Sequence, residues 1–351
     1  MPYANRFDIE LQGVFETREK DWRNGAVVYQ VLVDRFAPSA QLAAKRHLYP
    51  EPKTLHRWDE VPTRGKYLQA QRLWSHEIAF WGGDLASTAA RLDHVQGLGA
   101  DVLYLNPVCL ATTNHKYDAL DYLQVSPEYG TRGDLKALAQ DLHARGMKLV
   151  LDGVFNHMGR NAPVFQQAYA AYLAETAGSS GGRDAAGGSI YRDWFVFGDQ
   201  YPGGARAWWR AENLPELNLE NPRVREHIYA AKDSVVRSYL RDGVDGWRLD
   251  VAFDLGFVFL DQLTRAAHEE KAGSLVVGEI ANYPKEWFPS VDAVSYTHLD
   301  VYKRQVKQGV RPEHLRAGVS DNALQTKVTF VESLGSMTYA SVCLLYTSRC
   351  V

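Results

Sequence analysis

An α/β fold, the (β/α)8 TIM-type barrel, is what this sequence predicts, on three observations. Apolar runs of strand length alternate with amphipathic helical stretches, each run is apolar almost throughout, and a polar residue closes run after run. Strands covered on both faces read as continuous apolar runs and belong to parallel sheets. Asp34, Asn106, Asp152, Asp250 and Glu279 stand at or just past the ends of five such runs. In a barrel of this kind every strand delivers its last residues to one shared face, where the chemistry sits. A doubly wound open sheet would carry a Gly-rich phosphate loop after its first strand, and none follows here.

Residues 1–25 are polar and mixed and read as a lead-in segment. The barrel is assigned to residues 26–157 and 213–294. Its first strand covers 27–33, an unbroken run save for Gln30. An irregular stretch follows to about residue 80, with prolines at 38, 50, 52 and 62. Phe80-Trp81-Gly82-Gly83-Asp84 then turns into a helix over 85–98, where Leu85, Ala89, Leu92 and Val95 keep helical spacing. The second strand, 100–105, is stopped by Asn106-Pro107, since proline cannot donate to a ladder. A helix over 134–145 has Leu135, Leu138 and Leu142 on one face and Gly146 after its end. The third strand, 147–151, runs into Asp152-Gly153-Val154-Phe155-Asn156-His157.

The stretch from His157 to the next strand is far longer than a crossover helix needs, so residues 158–212 are read as an inserted subdomain. Its Gly/Ser/Ala tract at 178–188 has the composition of a flexible loop. A helix over 222–241 leads back to the sheet, and 244–252 and 274–280 are the fourth and fifth strands.

With 46% apolar and 23% charged residues, the composition is that of a soluble globular enzyme. A net charge of -3, without a basic stripe interleaved with aromatics, argues against a nucleic-acid partner. No apolar run is long enough to span a membrane and the N-terminus lacks a signal-peptide core, so a cytoplasmic location is expected. Cys109, Cys343 and Cys350 have neither metal-type spacing nor the look of a disulfide framework. Nine Trp and nineteen Tyr supply flat faces that fill a core or stack on sugar rings.

Arg248 and Asp250 lie two apart at the end of the fourth strand, so both side chains point to one face. The fixed positive charge is expected to keep Asp250 ionised and available to attack. If the fourth and fifth strands adjoin, Glu279 faces Asp250 across the mouth. Two carboxylates about 5 Å apart are the equipment of a retaining glycosidase. Glu279 lies between Val277 and Ile280, where desolvation is expected to keep its proton in place. Asp152 is placed to brace Arg248 from the third strand, and His157 to bond a sugar hydroxyl.

Three of these segments, Asp152 to His157, Gly246-Trp247-Arg248-Leu249-Asp250-Val251-Ala252 and Gly278-Glu279-Ile280, resemble signature segments of the alpha-amylase family of glycoside hydrolases. Leu214-Pro215-Glu216-Leu217-Asn218 is similar to a fourth. Asn114-His115-Lys116-Tyr117-Asp118 resembles the segment that places a stacking tyrosine under the sugar being cleaved. The resemblance runs from about 27 to 294, and its wording is nearest to neopullulanases and cyclomaltodextrinases. It implies a (β/α)8 barrel with a subdomain inserted after the third strand. It also implies retaining hydrolysis of α-glucosidic bonds in maltodextrins, cyclodextrins or related α-glucans. An α-glucan oligosaccharide is thus the expected partner. By position, Asp250 is the nucleophile and Glu279 the acid/base, with Arg248, His157, Tyr117, Asp152 and Asp118 around the reacting sugar. An α-glucan transferase and a noncatalytic partner subunit of the same fold are the alternatives.

The sequence departs from the family's pattern in two places. Many members hold calcium, with the asparagine matching Asn156 as one ligand. Residues 37–41 (APSAQ) offer few oxygens to a hard cation, so no cofactor is expected. The family's His-Asp pair after the seventh strand has no counterpart, and Leu334-Gly335 follows Thr329-Phe330-Val331-Glu332-Ser333 where that pair would stand. Residues 295–305 (SYTHLDVYKRQ) and 344–351 (LLYTSRCV) resemble translated cloning-adaptor sequence. Residues 295–351 are therefore read as a disrupted or chimeric tail, the barrel as incomplete at its C-terminal end, and the activity of this chain as lost or impaired.

Overall fold

The computed structural model describes residues 20–177, 189–281 and 286–295, and the backbone of the strands at 326–334 and 337–344. Six strands, β1 (Val28–Val31), β2 (Val102–Leu105), β3 (Lys148–Gly153), β4 (Gly246–Leu249), β5 (Leu275–Glu279) and β6 (Ala293–Ser295), form one sheet in chain order. Each pairs in parallel with the next. An order that never reverses is that of a barrel wall, whereas a doubly wound sheet reverses at a switch point. Among the described residues β1 and β6 have no second neighbour in this sheet, so the wall is an open arc.

Period-two alternation sorts the strand residues into two sets. Leu103, Leu105, Leu149, Leu151, Trp247, Leu249 and Val276 join the main core. They share it with side chains of helices α1 (Arg132–Ala144), α2 (Val235–Arg241) and α3 (Phe257–Glu270). The alternate residues Val102, Tyr104, Val150, Leu275, Val277 and Ala293 make a separate cluster, the lining of the arc. Continuing that alternation two residues further along each strand reaches Asn106, Asp152 and Glu279, and on β4 the series Gly246, Arg248, Asp250. The pleat that builds the lining therefore also carries the polar residues to the mouth. Gly246 belongs to this device, because a Cβ there would lie 2.3 Å from the Leu275 carbonyl oxygen, and only glycine lets β4 and β5 approach as they do.

The opposite rim is pinned by a repeated contact. Asp101, Asp245 and Asp292 each directly precede a strand and accept a backbone N–H from the neighbouring chain, from Val27 at 2.8 Å, Leu149 at 2.9 Å and Val276 at 2.8 Å. These caps satisfy donors at the strand starts and hold the parallel register far from the mouth.

Three expectations about elements are corrected. The helix over 222–241 is broken: Pro222–Arg225 passes into a π-turn at Glu226–Ala230, Ala231 is extended at ψ 155°, and α2 restarts at Val235. Asp233 and Ser234 stand at the break, and such side chains favour helix starts over helix interiors. The helix over 85–98 is two short ones, Leu85–Ala89 and Leu92–Gly97, parted at Arg91. The loop behind β2 is a hairpin, with Cys109–Ala111 antiparallel to Ala119–Val125, so Tyr117 sits on a supported tip.

Residues 34–80 are irregular as read, with short pairings of Thr54–Leu55 on Ala79–Phe80 and Tyr67–Leu68 on Leu73–Trp74 around a small core of Tyr49, Leu73, Ile78 and Phe80. The inserted stretch opens with the helix Pro163–Thr176, bridges Phe195↔Leu217 and Ala207↔Pro215 lace the Leu214 segment to it, and His157↔Glu216 ties that segment to the stretch after β3. Residues 1–19 of the lead-in, the tract at 178–188, Gly335, and most of the two adaptor-like strings lie outside the described residues. In the tail, Thr326–Leu334 pairs antiparallel with Met337–Leu344.

Candidate active site

The site grows from the register of three strands, in which Arg248 on β4 lies beside Asp152 on β3 and Val277 on β5. Arg248 Nη1 donates to Asp152 Oδ1 at 2.9 Å and Oδ2 at 3.1 Å, and to Asp250 Oδ1 at 2.9 Å. Its Nη2 lies 2.7 Å from Glu279 Oε2. One guanidinium thus holds three carboxylates, and β4 and β5 adjoin as the pairing of Asp250 with Glu279 requires.

Sharing the guanidinium changes the electrostatics from what the sequence suggests. Burial, then the Asp152 carboxylate, push Asp250 up to about 7 against the pull of Arg248, with Glu279 adding to the rise. Burial also raises Asp152, opposed by Arg248 and by the Tyr104 and Tyr117 hydroxyls. The expectation that Arg248 keeps the Asp250 pKa low is therefore corrected, because a single cation is divided among three anions. The apolar surround expected for Glu279 is corrected too. Its carboxylate meets Arg248 and accepts the Val251 N–H at 3.0 Å, while Ile280 packs into the main core and Val277 into the lining. Ile280, the next residue, faces the other way, and Val277, two residues back on the same face, lies deeper in the lining, so neither surrounds the Glu279 carboxylate.

Asp152 is the hub of a hydrogen-bonded set. Tyr117 Oη donates to Asp152 Oδ2 at 3.0 Å and accepts from Asn106 Nδ2 at 2.9 Å, and Gln30 Nε2 donates to Asn106 Oδ1 at 3.0 Å. The Tyr104 hydroxyl donates to Asp152 Oδ2 as well. Tyr104 and Gln30 are absent from the sequence-based set. Their signal is a polar atom on a strand's inward-facing position inside an otherwise apolar run.

His157 is buried with its ring stacked on Trp208 at 5.5 Å, and its Nε2 has no hydrogen-bond partner among the described residues. Burial pushes its pKa down to about 4, so the imidazole is neutral at neutral pH. Trp208 in turn donates from Nε1 to Asp254 Oδ2 at 3.3 Å. Asp118, expected around the sugar, is not brought to this group. Its carboxylate accepts the N–H of Thr112 at 3.1 Å, the N–H of Thr113 at 3.2 Å and the Thr113 hydroxyl, which holds the turn below Tyr117.

Around the residues considered for calcium, several oxygens already accept donors from the protein. The Asn156 amide lies 3.3 Å from His157 Nδ1, and its backbone oxygen accepts the Leu217 N–H at 2.9 Å. In the loop after β1, Lys45 Nζ lies 2.6 Å from Asp84 Oδ2, which also accepts the Ser39 hydroxyl, and the Ala37 carbonyl takes the Ser87 hydroxyl at 2.9 Å. Burial pushes the Asp84 carboxyl up, but the Lys45, Ser39 and Ser87 donors outweigh it and hold it below its ordinary value. Among the described residues no group of three or more His, Cys, Asp or Glu is arranged to hold a metal ion, whereas calcium takes six to eight oxygens. Excess EDTA is therefore expected to leave the melting temperature unchanged. Lys45→Ala should lower stability by about 2 kcal/mol by stripping a buried carboxylate of its charged donor. Melting that falls on EDTA addition would contradict this.

Residues 30–276 match the profile described as alpha amylase, catalytic domain. The chain belongs to the alpha-amylase family. The family's (β/α)8 barrel accounts for the unreversed strand order, and the arc β1–β6 is the part of its wall seen here. The chain is 30% identical over 289 residues to neopullulanase 2 of Thermoactinomyces vulgaris, covering 80% of this chain and 42% of that protein. It is 30% identical over 277 residues to an intracellular maltogenic amylase of Bacillus subtilis, covering 76% and 40%. Among solved structures, the ligand-free cyclic α-maltosyl-(1→6)-maltose hydrolase of Arthrobacter globiformis superposes with a TM-score of 0.62 at 31% identity, covering 78% of this chain and 55% of that one. The chain spans less than half the length of these two curated relatives.

Proposed function

We propose that this alpha-amylase-family chain carries the machinery of a retaining glycoside hydrolase for α-glucosidic bonds of maltodextrins, cyclodextrins or related α-glucans. The bracketing of Asp250 and Glu279 by Arg248 carries the reading. Two carboxyl groups resting on one guanidinium fit the short separation, about 5–5.5 Å, of retaining enzymes. Arg248 holds Asp250 by Oδ1 and Glu279 by Oε2, which leaves Oδ2 to attack the anomeric carbon and Oε1 to serve the leaving group.

Glu279 gives its proton to the glycosidic oxygen as that bond breaks and Asp250 bonds to the anomeric carbon. Water then attacks that carbon, Glu279 takes the water's proton, and Asp250 leaves as the carboxylate. Asp152 acts through Arg248 as a positioning residue, Tyr117 offers a ring to the sugar, and the neutral His157 Nε2 is available to a hydroxyl. Residues 26–157 and 213–294 are the barrel and 158–212 the insert. The relatives' names support the substrate class, and the intracellular maltogenic amylase supports a cytoplasmic setting.

Maltoheptaose turnover followed by NMR tests the reading. The α-anomer should appear first, and Glu279→Gln should slow cleavage about 10²–10⁴-fold. The β-anomer first, or undiminished turnover in the variant, would sink it. Because the disrupted tail is expected to impair this chain, the turnover arm is read on a version carrying an intact eight-stranded barrel; binding of maltoheptaose without cleavage there would point to a binding subunit, and chain-lengthened products with excess acceptor sugar to a transferase.

A further inference from the structure

We propose that Val251 is a positioning residue whose backbone N–H decides which oxygen of Glu279 carries the transferable proton. This deepens the reading of Asp250 and Glu279 as the reacting pair and rests on it. Val251 sits at φ 41°, ψ 46°, in the left-handed region. For a β-branched residue that conformation is a steric outlier, and such strain persists only where the surroundings over-determine it.

The surroundings are explicit. On one side the Asp250 N–H is tied to the Gly153 carbonyl at 3.0 Å, extending the β3–β4 ladder. On the other the Asp254 N–H closes on the Val251 carbonyl at 2.9 Å, the first turn of the short helix Ala252–Leu255. Only Asp250 and Val251 separate the strand from the helix, and with the Asp250 N–H still on the ladder the turn falls to Val251. The Val251 side chain is buried, which keeps the turn from relaxing.

The consequence is where the N–H points. It donates to Glu279 Oε2 at 3.0 Å, the same oxygen that lies 2.7 Å from Arg248 Nη2. Two N–H donors on one carboxyl oxygen leave it acceptor-only, so the acid's proton resides on Oε1. Arg248 alone is shared with Asp152 and Asp250, whereas the Val251 N–H serves Glu279. The 250–251 peptide thereby couples the pair: one end carries the nucleophile, and the N–H at the other pins the acid.

Three measurements on the full chain test this. Val251→Gly and Val251→Ala both delete the isopropyl group, but only glycine adopts φ 41° without strain. The glycine variant should melt higher than the alanine variant, and alanine melting equal or higher would overturn the strained turn. Amide exchange at Val251 should be at least tenfold faster in Glu279→Ala than in wild type, and a change under twofold would overturn the hydrogen bond. In turnover, Val251→Gly should lower kcat on maltotriose at least tenfold more than on α-maltosyl fluoride, whose leaving group needs no proton. Equal losses would make Val251 merely structural and overturn the assignment. A wild-type chain inert toward both sugars would match the impairment expected of its disrupted tail, and the melting order and exchange rates then decide Val251 by themselves.

Discussion

Arg248→Met is expected to lower folding stability by about 3–5 kcal/mol at neutral pH, the cost of leaving buried charges without their partner. The guanidinium bonds Asp152, Asp250 and Glu279 at once, so its removal strands three carboxylates on adjacent strands. A methionine of similar length fills the space but neutralises nothing. Arg248→Lys should recover only part of the loss, because a single ammonium cannot span three partners as the planar fork does. Urea unfolding of the three proteins measures this. The penalty should shrink at pH 5, below the Asp250 value of about 7, where that carboxyl is protonated and its repulsion with Asp152 is lost. An unchanged midpoint for Arg248→Met would mean that the three carboxylates do not depend on it.

Asp250→Asn is expected to abolish cleavage and yet stabilise the fold at pH 8. The folded carboxyl is pushed up to about 7, by burial first and Asp152 second, whereas an unfolded aspartate titrates near 3.9. Below about pH 4 both states hold the proton and the group is neutral to stability. As pH rises toward 7 the unfolded state releases its proton first, so wild-type stability falls, and above 7 the loss is complete. Asparagine does not titrate. The variant's advantage should therefore grow from pH 5 to pH 8, to on the order of 2 kcal/mol after the lost Arg248 contact is discounted. Melting curves of both proteins at the two pH values decide it. A destabilised variant at pH 8 would show that the guanidinium outweighs burial and repulsion at this carboxyl. If Asp250 is the nucleophile proposed above, its cost to the fold is the usual stability–activity trade.

Much of the fold was legible because it rests on local periodicity. The runs at 27–33, 100–105, 147–151, 244–252 and 274–280 each overlap a strand of the arc, in the expected order, with β3 running two residues further than read. Arg248 and Asp250 do meet, since two residues apart on a strand is one face wherever the strand goes. Less legible were features that depend on a local exception. The 222–241 helix breaks at Asp233-Ser234, a weak signal inside a strong helical pattern. The hairpin presenting Tyr117 has only a three-residue first strand to announce it.

By itself, then, the sequence determined which residues reach the mouth of the barrel: Asn106, Asp152, Arg248, Asp250 and Glu279, each placed by the pleat of its own strand. Tertiary structure alone decided what each does there. It divided Arg248 among three carboxylates, tied Asp118 to the Thr112–Thr113 turn, brought Tyr104 onto Asp152, and turned the Val251 N–H toward Glu279. The reason is one of range. A strand's alternation follows from backbone geometry within a few residues, whereas a carboxyl's charge state follows from burial and from charges carried on neighbouring strands. Those neighbours are 96 residues away for Arg248 and Asp152 and 28 for Val251 and Glu279, and only strand pairing brings them within 3 Å or so.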